Sequence, residues 1–130
     1  MADLLILAHG GTWEMRFQLS SLAASAAAAG ESVEVALFFA ALDAWVGGRW
    51  DVLDPAPPVA ASRLEALGLP PLSSLLEAGR GAGLIRLFAC SASCRVLGLD
   101  MARVQAVVDA VLGWQTFARL TATAGRVVSL

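Results

Sequence analysis

The chain has 130 residues and a formal net charge of −2; 58% of it is hydrophobic and 15% charged. That length suits one domain around one core. All nine basic residues are Arg, with no Lys, one His (His9) and two Cys (Cys90 and Cys94), which excludes lysine Schiff-base and P-loop chemistry, a two-His metal site and a four-Cys zinc site within one chain.

The longest uncharged stretch, Phe17 to Gly30, has 14 residues, whereas a membrane span needs about 20 predominantly apolar ones. Asp3 stands where a signal peptide carries positive charge, and the apolar run Leu4–Ala8 is too short for one. The expectation is a cytoplasmic protein with no membrane span and with free thiols rather than a permanent disulfide. The arginines are spread along the chain, so nothing points to nucleic acid.

In chain order, Asp3–His9 reads as a buried parallel strand ending in the Gly10-Gly11 turn. Thr12 caps a helix from Trp13 to about Ala29, stopped by Gly30. Met15, Leu19, Leu22, Ala26 and Ala29 are expected to line its buried face, with Trp13, Phe17, Ala24 and Ala28 forming a second apolar face. Val33–Phe39 is the second strand, completing a βαβ unit. A short helical or irregular turn at 40–46 leads into a Gly- and Pro-rich loop. Two helical pieces, 60–67 and 72–78, flank Pro70-Pro71.

Leu84–Cys90 is the third strand. Residues 91–97 form a short helix capped by Ser91 or Ser93, and Asp100 caps another over 101–106. A fourth strand falls within 107–112, a last helix at 116–124 and a terminal strand at 127–130. Strands alternating with helices predict a parallel sheet covered on both faces. Asp43, Asp51, Asp54 and Glu65 have no spacing that proposes a metal or paired-carboxylate site and read as solvated charges.

Ligands in such sheets bind beyond the carboxyl ends of the strands. His9 closes the first strand and Cys90 the third, so the imidazole and the thiol share a rim if those strands are neighbours. Cys90 precedes a helix start, where unpaired N–H groups and the helix dipole favour a thiolate. Ser91 and Ser93 add hydroxyl donors. Cys94, four residues on, is either a second redox thiol or a small core residue, and a Cys90–Cys94 redox pair is the narrower alternative. His9 is a candidate proton partner, and Gly10-Gly11 a candidate phosphate cradle. Trp45, Trp50 and Trp114 read as packing plugs or interface anchors. With so much apolar helix surface, a homo-oligomer is expected.

Three stretches carry a resemblance: "LLILAHGGTWEMRFQLSSLAASAAAAGESVEVALFF", "IRLFACSASCRVLGLD" and "VDAVLGWQTFARLTATAGRVVSL". In order and in cysteine context they resemble the DsrE/DsrF-like sulfur-relay family, leaving out the Pro-rich middle. The resemblance implies one three-layer α/β/α domain over residues 1–130, with a central, mostly parallel sheet of about five strands. It implies assembly into trimers or hexamers. It also implies that Cys90 carries sulfur as a persulfide between a donor and an acceptor protein, without a cofactor or metal. Cys94 is not a family expectation. The alternative from the residues themselves is a non-catalytic oligomeric module that binds a small ligand or a protein at the same rim.

Overall fold

The computed structural model describes residues 1–57 and 59–130. Among them, five strands and seven helices alternate: β1 (Leu4–Ala8), α1 (Trp13–Ala28), β2 (Val33–Leu37), α2 (Phe39–Val46), α3 (Ala61–Leu67), α4 (Leu72–Gly81), β3 (Ile85–Cys90), α5 (Ser91–Leu97), α6 (Met101–Val107), β4 (Ala110–Leu112), α7 (Trp114–Thr123) and β5 (Arg126–Ser129). The strands form one sheet in the order β4-β3-β2-β1-β5, with every pair parallel. This is a three-layer α/β/α architecture. Among the described residues no helix is long and apolar enough to cross a membrane.

The layers follow from crossover handedness. From β1 to β4 the chain steps across the sheet in one direction, so right-handed crossovers keep their helices on one face. The last step returns past β1 to β5, and its helix α7 falls on the other face. Side chains alternate along each strand accordingly. Leu4, Ile6, Val33, Val35, Ile85 and Leu87 pack with α1, α2, α4 and α6 in the larger core. Ala36, Phe38, Phe88 and Cys90 pack with Phe117 of α7 in a smaller one.

The buried face of α1 is rotated from the one expected: Arg16, Leu19, Ser20, Ala23, Ala26 and Ala27 are buried, while Leu22 is 36% exposed. Small side chains on this face let α1 approach the sheet and α4 closely. Its second apolar face is partly met within the chain, where Ala24 and Ala28 line a groove with Leu75 and Ala78 of α4.

Arg16, not an apolar residue, anchors the first turn of α1, and all three nitrogens of its guanidinium donate. Nε donates to Gly11 O at 3.0 Å, Nη1 to the carbonyls of Arg49, Trp50 and Val52 at 2.7–2.8 Å, and Nη2 to Asp54 Oδ1 at 2.9 Å. Of the four acidic residues read as solvated, Glu65 is exposed, and the three aspartates have partners. Asp54 also accepts the Trp13 N–H, Asp51 accepts from Ser73 at the start of α4, and Asp43 pairs with Arg49. Trp45 and Trp50 are buried plugs in edge-to-face contact; their indole N–H groups reach Val107 O and Ser20 Oγ.

Asp109 fastens the short edge strand β4. It accepts from the Leu87 N–H at 2.7 Å, and Arg80 donates to both of its oxygens. Burial opposes its charge, but these hydrogen bonds and the charges of Arg80 and Arg86 outweigh burial and hold the carboxyl below its usual range. A depressed folded pKa stabilises above the unfolded value of about 3.9 and is lost as pH falls through the folded one. Asp109→Asn should therefore lower stability at neutral pH. Relative to wild type, it should flatten the loss of stability on acidification below about pH 4; melting curves across that range check it, and parallel wild-type and variant profiles contradict it.

Candidate functional site

The carboxyl ends of the strands form one rim. Cys90 ends β3 there and is itself the cap of α5: its Sγ accepts the Ser93 N–H at 3.5 Å. The serines were the expected caps. Cys90 takes that place because it is the last extended residue, at φ −74° and ψ 121°, directly before the helix. The sulfur thus sits at the donor end of a helix, where a negative charge is favoured. It is also fully buried, among Ala36, Phe38, Phe88 and Phe117.

Cys94 lies in the next turn but belongs to the larger core on the other side. It is 1% exposed. Burial pushes its thiol up, and the neighbouring Cys90 pushes it in the same direction. Cys94 therefore remains a protonated core thiol at neutral pH. Both cysteines are free. A bond between them requires one side chain to leave its own apolar cluster.

His9 stands on the same rim but not beside the thiol. β2 runs between β1 and β3, which sets their backbones roughly 10 Å apart. Phe38, extending β2, packs into the Cys90 cluster and also lines the cavity that holds His9. The exposed imidazole has no hydrogen-bond partner among the described residues, and its backbone N–H donates to Leu130 O at 2.9 Å. Its cavity, about 290 Å³, is lined by Leu7, His9, Phe38, Phe39, Trp114 and Ser129. This cavity lies by the boundary between β1 and β5, where the strand order reverses and open α/β sheets place ligands.

Of two further features of this rim, the sequence carries no sign of the first and leaves the second open between plug and anchor. Phe39 heads α2 at φ 43°, a left-handed conformation that is strained for a bulky side chain and characteristic of functional turns. It is 45% exposed. Trp114, at the start of α7, stacks on Phe38 at 5.0 Å and remains 58% exposed. A strained φ has no signature in a single sequence, and a loop tryptophan reads equally as plug or anchor.

The Gly10-Gly11 turn is shaped by packing. A Cβ on Gly11 would stand 2.6 Å from that of Ala40, and one on Gly10 would strike Met15. The Gly10 N–H donates to Leu130 O, and Thr12 and the Asp54 carboxylate take the Met15 and Trp13 N–H groups at the head of α1. The carboxylate of Asp54 thus already takes one of the N–H groups at the head of α1. Ser91 lies beside the start of α7: its Oγ is 3.8 Å from where a Gly113 Cβ would be. Ser93 is buried. Among the described residues no three His, Cys, Asp or Glu side chains gather as a metal site.

Compared with models of known protein families and with curated proteins, the chain matches none.

Proposed function

We propose that the protein carries sulfane sulfur on Cys90, as its resemblance to the DsrE/DsrF-like sulfur-relay family implies. The supporting observation is the sulfur of Cys90 acting as the cap of α5 at the end of the interior strand β3. A helix head is a place where unpaired N–H groups can receive an anion. The exchange is balanced without an oxidant. The Cys90 thiolate attacks the terminal sulfur of a donor persulfide, the donor S–S bond breaks, and a new S–S bond forms on Sγ. The donor leaves as a thiolate and takes up the proton that Cys90 released. An acceptor thiolate then repeats the step in the forward direction.

Burial sets a condition on this chemistry. Phe117 and Phe38 cover Cys90, so exchange proceeds from a state in which the first turn of α7 has opened. That turn is a fitting gate, because Gly113 caps it without a side-chain hydrogen bond. A homo-oligomer and a donor or acceptor protein remain part of the proposal. The exposed Phe39 and Trp114 are the apolar surface offered to them.

Incubation with glutathione persulfide followed by intact mass measurement tests the reading. Wild type should gain the mass of one sulfur atom and Cys90→Ser none, while Cys94→Ser should load like wild type. No gain in wild type, or an equal gain in Cys90→Ser, refutes it.

A second reading is favoured by the open aromatic cavity at His9. The protein is then a non-catalytic binding module, with Cys90 a core residue. In that case Cys90→Ser retains the partner binding and cellular role of wild type.

A further inference from the structure

Among the described residues, one buried side-chain oxygen or nitrogen lacks a hydrogen-bond partner: Ser93 Oγ. Ser93 is 0% exposed. A buried hydroxyl without a partner is costly, and alanine would fill the same place without that cost. Helical serines commonly bond back to a carbonyl one turn earlier, but this one does not. Such an orphan calls for an explanation in terms of a group that arrives later.

Its position supplies one. Ser93 is the third residue of α5 and donates its backbone N–H to the capping sulfur of Cys90. Helical side chains lean toward the helix N-terminus, so the hydroxyl leans toward Cys90. The capping sulfur and the unpaired buried hydroxyl are separate observations on the same first turn of α5.

We propose that Ser93 is a positioning residue for a Cys90 perthiolate, its O–H donating to the terminal sulfur while its N–H holds Sγ. This rests on the reading of Cys90 as the sulfur carrier. The terminal sulfur lies one S–S bond, about 2.05 Å, beyond Sγ. It bears the charge of the perthiolate in a setting otherwise made of Phe38, Phe88 and Phe117. A charged group there requires a donor. The Ser93 hydroxyl, in the first turn of α5, is a buried donor with no partner among the described residues.

The test compares wild type and Ser93→Ala after loading with glutathione persulfide. Melting temperature is measured on the unloaded proteins, and the pH profile of sulfur transfer to dithiothreitol on the loaded ones. Ser93→Ala should fold and melt no lower than wild type, because it removes an unpaired hydroxyl. The midpoint of its transfer profile should lie higher by about one pH unit, a tenfold smaller perthiolate fraction at a given pH. If Ser93→Ala loads sulfur and keeps the wild-type profile, the proposal is wrong and the role of Cys90 stands. If it fails to fold or melts markedly lower, the hydroxyl serves the apo core and the proposal is likewise overturned. If wild type takes up no sulfur, the reading of Cys90 and this proposal fall together.

Discussion

Arg16→Met should destabilise the protein by about 3–5 kcal/mol, the range for breaking a buried charge pair. The side chain is 4% exposed, and its partner Asp54 is 29% exposed. Met keeps the apolar stem but abandons four backbone carbonyls and one carboxylate oxygen. Neutralising Asp54 in the same chain should recover part of the loss at most, because the carbonyls of Gly11, Trp50 and Val52 stay unpaired and that of Arg49 keeps only the Val52 N–H. Arg16→Lys should not rescue it either: a single ammonium has three donors at one point, whereas the planar guanidinium reaches these five acceptors from three nitrogens. Urea unfolding measures the loss, and amide exchange over residues 49–54 should show that loop losing protection first. A variant within about 1 kcal/mol of wild type would show that water replaces the guanidinium at little cost.

Phe117→Ala is expected to cost about 3–5 kcal/mol and to expose the thiol beneath it. Phe117 is 1% exposed and its ring lies 5.1 Å from Phe38 and 6.0 Å from Trp114. Its helix is the cover of the Cys90 face among the described residues, so its packing determines how often that face opens. Iodoacetamide labelling under native conditions should be faster at Cys90 by at least about tenfold, the factor that 1.4 kcal/mol represents, and Cys94 should label no faster than global unfolding allows. Phe117→Leu, which keeps α7 folded, should give the same order with smaller effects. Unchanged Cys90 labelling in a destabilised Phe117 variant would place the route to the thiol elsewhere than under α7.

Both results bear on the central tension of the site. The electrostatics of a helix head favour a sulfur anion, while the packing of Phe38, Phe88 and Phe117 withholds that sulfur from solvent. A carrier benefits from this combination if opening is brief, because a perthiolate left in water loses its sulfur to any passing thiol.

Much of the fold was legible in the sequence, and the reasons are local. The apolar runs at Leu4–Ala8, Val33–Leu37 and Ile85–Cys90 are strands buried along most of their length, with Glu34 half-buried and Arg86 exposed. Gly30 and Gly98 stop their helices at positive φ, and Thr12 and Asp100 cap theirs through side-chain oxygens. Boundaries moved where neighbours decided them. α7 begins at Trp114, two residues before the expected start, because Trp114 stacks on Phe38. β4 is three residues long, held in place by Asp109.

Composition and order of residues thus determined a parallel α/β sheet with one thiol at the end of its third strand. Periodicity and caps act within a few residues, and a sequence displays them directly. Strand order, the single helix over one face, the aromatic wall between His9 and Cys90, the burial of Arg16 and the orphaned hydroxyl of Ser93 were decided by tertiary structure. Each depends on which distant segments meet: an Arg reads as a surface charge until four carbonyls from two loops close around it, and a thiol reads as accessible until a helix that starts 24 residues later lies across it.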